Sequence, residues 1–266
     1  MSSLSVTDYH AGTGAGTLVL LHGFPVDRRM WDSTASLVDA SWRVLGVDLP
    51  GLGGSATILP EPPTMAASAW AVREALEGRV VPGAPVVFAG LSMGGYVVQA
   101  AMRDYGELLD GVILLDTRSG ADTPEARANR LRIADESEAS GAAHAVLGMA
   151  KDTLCEASVQ RRPELVEFQR SVIESQTGTG IAWSQRAMAG RPDTADTLRE
   201  WGKPALVIVG QEDQITSVDV MREVAELLAT DAFMVIPEAG HMSPVEQPAL
   251  VAAEINGFLR AKFTAR

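Results

Sequence analysis

Six short apolar runs recur along the chain, separated by longer stretches of mixed polarity. Leu18–Leu21 leads into a His-Gly turn, Arg43–Val47 into Asp48, Val86–Ala89 into Gly90 and Gly111–Leu115 into Asp116. Ala205–Val209 leads into Gly210, and Ala232–Ile236 into Pro237. Brief runs that are apolar on both faces, rich in β-branched residues and ended by Gly, Asp or Pro are the pattern of parallel strands buried on both sides. Between them, Met30–Val38, Met65–Glu77, Tyr96–Tyr105, Val218–Ala229 and Pro248–Phe263 read as helices. The alternation predicts a mostly parallel sheet with helices on both faces.

The alternation stops between about Thr117 and Asp196. No strand pattern occurs there. Polar helical stretches around Pro124–Glu138, Ala142–Lys151, Pro163–Ser175 and Ile181–Gly190 are divided by Gly and Pro. At roughly 80 residues the interval is too long for one connection between a helix and a strand. It is expected to be an inserted helical cap (residues 117–196) on a core made of residues 1–116 and 197–266.

The run Val86–Ala89 ends in Gly90-Leu91-Ser92-Met93-Gly94, followed by a helical segment. Gly-x-Ser-x-Gly between a strand and a helix makes a sharp turn that lifts the serine hydroxyl above the sheet, and the flanking glycines avoid collision with neighbouring backbone. A serine hydroxyl is a poor nucleophile until a base takes its proton and a third group orients that base. His241, in the Gly240-His241 loop after the last strand, is the expected base. Asp213, after Val207–Val209, is the expected orienting acid. Two rivals are Glu212, which should face elsewhere, and Asp116, which also ends a strand. The oxyanion of an acyl-transfer intermediate needs two N–H donors. Met93, after the nucleophile, and Phe24, in the loop His22-Gly23-Phe24-Pro25, are the candidates; His22 is expected to bond backbone in that loop. The Gly-rich stretch Asp48–Ser55 lacks both the P-loop ending and the dinucleotide spacing, so it reads as a loop packed near His22.

Composition narrows the partners. The formal net charge of -12 disfavours nucleic acid and anionic membrane surfaces. Cys155 is the single cysteine and excludes an internal disulfide; a structural role is expected for it. The four histidines lack metal-ligand spacing, so neither metal nor cofactor is expected. The segment Met1–Ala15 carries no signal-peptide pattern, and the expected location is cytoplasmic.

The motifs His22-Gly23-Phe24-Pro25, Asp48-x-x-Gly51-x-Gly53-x-Ser55, Gly90-x-Ser92-x-Gly94-Gly95, Gly210-x-x-Asp213 and Gly240-His241 occur in the order Ser92, Asp213, His241. From about Leu18 onward, the chain resembles the α/β-hydrolase family with a helical cap. Within it, the chain is similar to carboxylesterases and 3-oxoadipate enol-lactonase-like proteins. One departure is Thr216-Ser217, where relatives often carry proline. The resemblance implies hydrolysis of a small-molecule ester or lactone through an acyl-enzyme. Alternatives on the same fold are a C–C bond hydrolase, a cofactor-free perhydrolase and a small-molecule receptor. A serine at the elbow sets the chain apart from dehalogenases and epoxide hydrolases of this fold, which use aspartate. In the cap, Leu147, Met149, Trp183 and Met188 are candidates for a pocket wall over Ser92, in competition with packing of helix on helix. Arg127, Arg130 and Arg132 are read first as a solvated helix face, and second as a site for a substrate carboxylate.

Overall fold

The computed structural model describes residues 3–263. Seven strands form one sheet: β1 (Val6–His10), β2 (Gly16–Leu21), β3 (Trp42–Val47), β4 (Val86–Leu91), β5 (Gly111–Leu115), β6 (Ala205–Gly210) and β7 (Phe233–Ile236), in the order β1-β3-β2-β4-β5-β6-β7. All neighbours run parallel except β1, which is antiparallel to β3. Strands β2, β5 and β6 are buried along their whole length, as their uninterrupted apolar runs require. Strand β1 has no counterpart among the six apolar runs. Its sequence Val-Thr-Asp-Tyr-His is mixed because it sits on the sheet edge, half-buried and paired on one side only.

Among the described residues, twelve α-helices accompany the sheet. On the core are α1 (Asp32–Ala35), α2 (Met65–Ala75) and α3 (Met93–Tyr105). Between β5 and β6 come α4 (Pro124–Ser140), α5 (Met149–Asp152), α6 (Glu156–Arg161), α7 (Pro163–Glu174), α8 (Gly178–Ala189) and α9 (Ala195–Arg199). The chain then returns through α10 (Val218–Leu227), α11 (Ser243–Glu246) and α12 (Pro248–Phe263). The segment read as a helix over Met30–Val38 is shorter, a 3-10 turn at Arg28–Trp31 followed by α1. No strand lies between β5 and β6 among the described residues, and no described helix is long and apolar enough to cross a membrane.

Local signals set the helix ends. Thr64, Thr123, Thr177 and Ser217 cap α2, α4, α8 and α10 by accepting a backbone N–H from three residues ahead. Helix α4 begins at Pro124 and stops at Gly141, whose left-handed φ of 69° is cheap only for glycine. Helices α4 and α8 pack on each other. A few polar ties join this helical segment to the sheet side. Gln176 Nε2 donates to Asp27 Oδ2 at 3.0 Å, and its Oε1 accepts the Gly53 N–H at 2.8 Å. The Trp183 indole donates to the Pro60 carbonyl at 2.9 Å. The buried Glu246 carboxylate accepts N–H groups from Gly240 at 2.6 Å and Cys155 at 2.9 Å, tying the loop before His241 to α6.

Candidate active site

The carboxyl ends of β2, β4, β5, β6 and β7 lie side by side, so the loops after them converge. Ser92 follows β4 and is the N-cap residue of α3. Its φ of 52° and ψ of -111° place a non-glycine residue in a strained region, which the surroundings must hold. They do so on both sides. The Ser92 N–H donates to Leu115 O at 2.9 Å, and its carbonyl accepts the Thr117 hydroxyl at 2.9 Å. A side chain at Gly90 would collide with the Gly94 carbonyl, and one at Gly94 with the Leu21 carbonyl. The two glycines therefore let α3 start directly against β4 and β2.

The loop after β2 comes close to the serine. A β-carbon on Gly23 would lie 3.6 Å from that of Ser92 and 2.7 Å from Leu91 Cδ2. The Gly23 N–H is taken by Met30 Sδ at 3.3 Å. Those of Phe24 and Met93 have no partner among the described residues, and Met93 heads α3, where a helix leaves its N–H groups free. His22 stiffens this loop from beneath. Its Nδ1 bonds the Gly23 carbonyl at 2.8 Å, and its Nε2 accepts the Leu49 N–H at 2.9 Å, which fixes a neutral ring with the proton on Nδ1. Burial pushes its pKa down, against the pull of Asp48. The Asp48–Ser55 turn is thus packed against the His22 loop.

On the other side, His241 Nδ1 bonds Asp213 Oδ2 at 2.8 Å, both side chains being almost fully buried. The other Asp213 oxygen accepts the N–H groups of Ile215 at 2.7 Å and Thr216 at 3.0 Å. The Thr216 hydroxyl adds 2.6 Å to Oδ2 and stands 3.3 Å from His241 Nδ1. Burial raises the Asp213 pKa, but the hydrogen bond and charge of His241 and the bonds from Thr216 outweigh it, and the net shift is downward. Motif reading met Thr216 only as a departure from proline and gave it no role. Proline at that place could supply neither its N–H nor a hydroxyl, so the departure adds two donors to the acid. Glu212 is exposed and cannot compete.

Asp116 is fully buried at φ 46° beside this group. Its Oδ1 accepts the Gly210 N–H at 2.8 Å, and its Oδ2 is 2.6 Å from the Ser243 hydroxyl. Burial, then the nearby Asp213 charge, push its pKa well up, against the bonds from Ser243 and Gly210. The carboxyl is spent on accepting from Ser243 and Gly210, and among the described residues no hydrogen bond joins it to His241. No hydrogen bond joins Ser92 Oγ to His241 either, among the described residues. Such contacts often tighten only around substrate.

The residues expected over the site are placed differently from one another. Trp183 and Met188 are buried, Trp183 holding Pro60 and Met188 Sδ meeting Arg130 Nη1 at 3.3 Å. Leu147 is partly buried against the core. Arg132 pairs on the surface with Glu136 and Asn129, and Arg127 is exposed, as a solvated face requires. Arg130 instead turns inward to Asp122 at 2.6 Å. Cys155 is buried as the N-cap of α6, and burial raises its thiol pKa. Among the described residues, no three His, Cys, Asp or Glu side chains cluster to hold a metal.

A model of the α/β-hydrolase family matches residues 18–254. The chain belongs to the α/β-hydrolase family. A solved thermophilic esterase from Thermogutta terrifontis is 37% identical, with a TM-score of 0.91 over 98% of this chain and 94% of its own. Among curated proteins, a 2-succinyl-6-hydroxy-2,4-cyclohexadiene-1-carboxylate synthase from Salmonella enteritidis is 28% identical over 93% of this chain and 95% of its own length. An enol-lactonase from Burkholderia xenovorans shares the fold at 23% identity, with a TM-score of 0.82 over 96% of each chain. As an α/β-hydrolase, the chain has the fold expected from its strand and helix alternation and acts on small molecules.

Proposed function

We propose that the protein is a serine hydrolase that cleaves a carboxylic ester or lactone through an acyl-enzyme. Ser92 Oγ attacks the carbonyl while His241 Nε2 takes its proton. The Asp213 carboxylate holds Nδ1–H and stabilises the imidazolium. The N–H groups of Met93 and Phe24 receive the oxyanion; one such donor is worth roughly 10²–10³ in rate. His241 then gives its proton to the leaving alcohol oxygen. A water, deprotonated by His241, attacks the acyl carbonyl and releases the acid and Ser92.

The observation that carries this reading is the strained serine at the start of α3, on the same sheet edge as a buried Asp–His pair, with the N–H groups of Met93 and of Phe24 in the adjoining loop unpartnered among the described residues. The 37% identity to a protein described as an esterase supports the ester as the bond cleaved. Residues 117–196 serve as the cap that sets substrate size. Leu147 has surface left to offer a substrate, whereas Trp183 and Met188 offer it only the faces not engaged by Pro60 and Arg130. Ser92→Ala should abolish p-nitrophenyl acetate hydrolysis with the circular dichroism spectrum unchanged; turnover at the parent rate would refute the assignment. The relatives named as synthases favour a second reading, a C–C bond reaction using the same serine and histidine. A panel of short esters, lactones and vinylogous diketones separates the two, and the ester reading expects the esters to be turned over fastest.

A further inference from the structure

The loop that carries His241 is held from two sides. On the sheet side, a β-carbon on Gly210, the last residue of β6, would lie 2.0 Å from the Gly240 carbonyl oxygen, and the Glu212 N–H donates to Ala239 O at 2.8 Å. On the other side stands the turn Thr153–Cys155, between α5 and α6. A β-carbon on Gly240 would lie 2.7 Å from the Cys155 nitrogen and 3.0 Å from the Thr153 carbonyl oxygen. The Met242 N–H donates to that same carbonyl at 3.2 Å. Both chain neighbours of His241 thus touch a turn of the helical segment. Glu246 closes this contact and is only 1% exposed. Its Oε1 accepts the Gly240 N–H at 2.6 Å and its Oε2 the Cys155 N–H at 2.9 Å, so one carboxylate spans both stretches of chain. Arg162 lies near but donates to the Glu246 main-chain carbonyl, at 2.6 Å. A buried carboxylate is unfavourable unless hydrogen bonds satisfy it, so drawing the two N–H groups apart is resisted. Gln169 of α7 braces the turn, its Nε2 donating to the Thr153 hydroxyl at 3.1 Å.

We propose that Glu246 is a positioning residue for His241, setting the base from the helical segment between β5 and β6 by holding Gly240 and Cys155 together. The inference rests on the reading of His241 as the base. Asp213, bonded to Nδ1, fixes how the ring turns. The Glu246 bridge fixes where the backbone that carries the ring stands. Misplacing a reacting group by about 1 Å can lower a rate by roughly 10²-fold. The segment then acts on the rate as well as on what enters. Its polar ties differ in consequence: Gln176 joins it to Asp27 and Gly53, on the His22 side, whereas Glu246 joins it to the loop of the base.

The test reads variants of the full-length protein by p-nitrophenyl acetate kinetics and by ring ¹H–¹⁵N spectra of the ¹⁵N-histidine-labelled chain, which has only four histidines to resolve. Glu246→Gln keeps the length and loses one acceptor. Glu246→Asp keeps the charge and is too short to span both N–H groups. Each should lower kcat by about 10–100-fold with KM within about twofold of the parent. Each should also shift or broaden the His241 ring signals while those of His22, buried in another loop, stay in place. Because a change at a buried carboxylate can impair folding, Gln169→Leu provides a further variant confined to the helical segment. It should lower kcat by roughly threefold or more, move the His241 signals and leave KM unchanged. The ring spectra need no substrate, so a parent without Ser92-dependent turnover would sink the hydrolase reading and leave the spectra to decide whether Glu246 places His241. Unmoved His241 signals, equal shifts at His22 and His241, a loss that falls on KM alone, or parental kcat in Glu246→Asp or Gln169→Leu would each overturn the proposal.

Discussion

The carboxyl edge of the sheet and the helical segment between β5 and β6 are built by different means. At the sheet edge, backbone meets backbone. Gly90, Gly94 and Gly210 each sit where a β-carbon would strike a carbonyl of a neighbouring element, and Ser92 is strained as a consequence of that closeness. In the helical segment two such approaches, of Gly178 to the Ser137 carbonyl and of Gly180 to the Gly51 carbonyl, are joined by side chains reaching across more than a hundred residues, such as Gln176 to Asp27 and Trp183 to Pro60. Backbone closeness demands one residue type at one place. A side-chain tie can be made by many pairs. The first kind of region fixes chemistry, and the second can be remodelled to change what enters.

Substitutions can break this comparison. The largest effect is expected at the acid: Asp213→Asn should lower kcat for p-nitrophenyl acetate by roughly 10²–10⁴-fold, since the histidine loses its orienting acceptor. Its exposed neighbour should be silent, so a comparable loss in Glu212→Gln would mean that the acid is misassigned. Next come two glycines, read by urea denaturation. Gly94→Ala should cost about 2–4 kcal/mol, because the Leu21 carbonyl cannot move away without disturbing the strand. Gly141→Ala, at the end of α4, meets no atom within 4 Å and should cost only about 1 kcal/mol for its positive φ. Equal costs would mean that close backbone approach is not what makes Gly94 necessary. Gln176→Ala cuts the tie between the segment and the sheet side. It should cost about 1–2 kcal/mol and raise KM with little change in kcat.

Smaller effects separate the two buried carboxyls by pH. The Asp213 pKa is lowered by folding, so its stabilisation is present above the unfolded value and is lost as pH falls through the folded one. Thr216→Val removes a donor to that carboxylate and should start the acid loss of stability at a higher pH, with about 1 kcal/mol lost at neutrality. The Asp116 pKa is raised, so its contribution is present below the unfolded value and is lost as pH rises through the folded one. Asp116→Asn should therefore be relatively more stable than the parent as pH increases, in melting curves taken across neutral and alkaline pH. A parallel pair of curves would mean that folding does not raise the Asp116 pKa.

The same contrast governs what could be read before the structure. The parallel strands and the elbow glycines were legible because buried strands and close backbone approaches restrict composition. The edge strand β1 was not, because pairing on one side leaves its alternate residues in water. Helices α6 and α9, of six and five residues, are too short to show a period. Thr216 was noticed only as a missing proline, since its hydroxyl acquires meaning from Asp213 three residues earlier and His241 twenty-five later. Trp183 and Met188 read as packing first and pocket wall second, and the partners that they meet, Pro60 and Arg130, lie too far off in sequence for any period to show.

The central claim is that Ser92 carries the acyl group. Intact-protein mass spectrometry after brief exposure to a fluorophosphonate, followed by peptide mapping, tests it directly. One label per chain on the peptide containing Ser92, absent from Ser92→Ala and greatly slowed in His241→Ala, is the expected result. An unlabelled chain, or a label carried elsewhere and retained in Ser92→Ala, would contradict it.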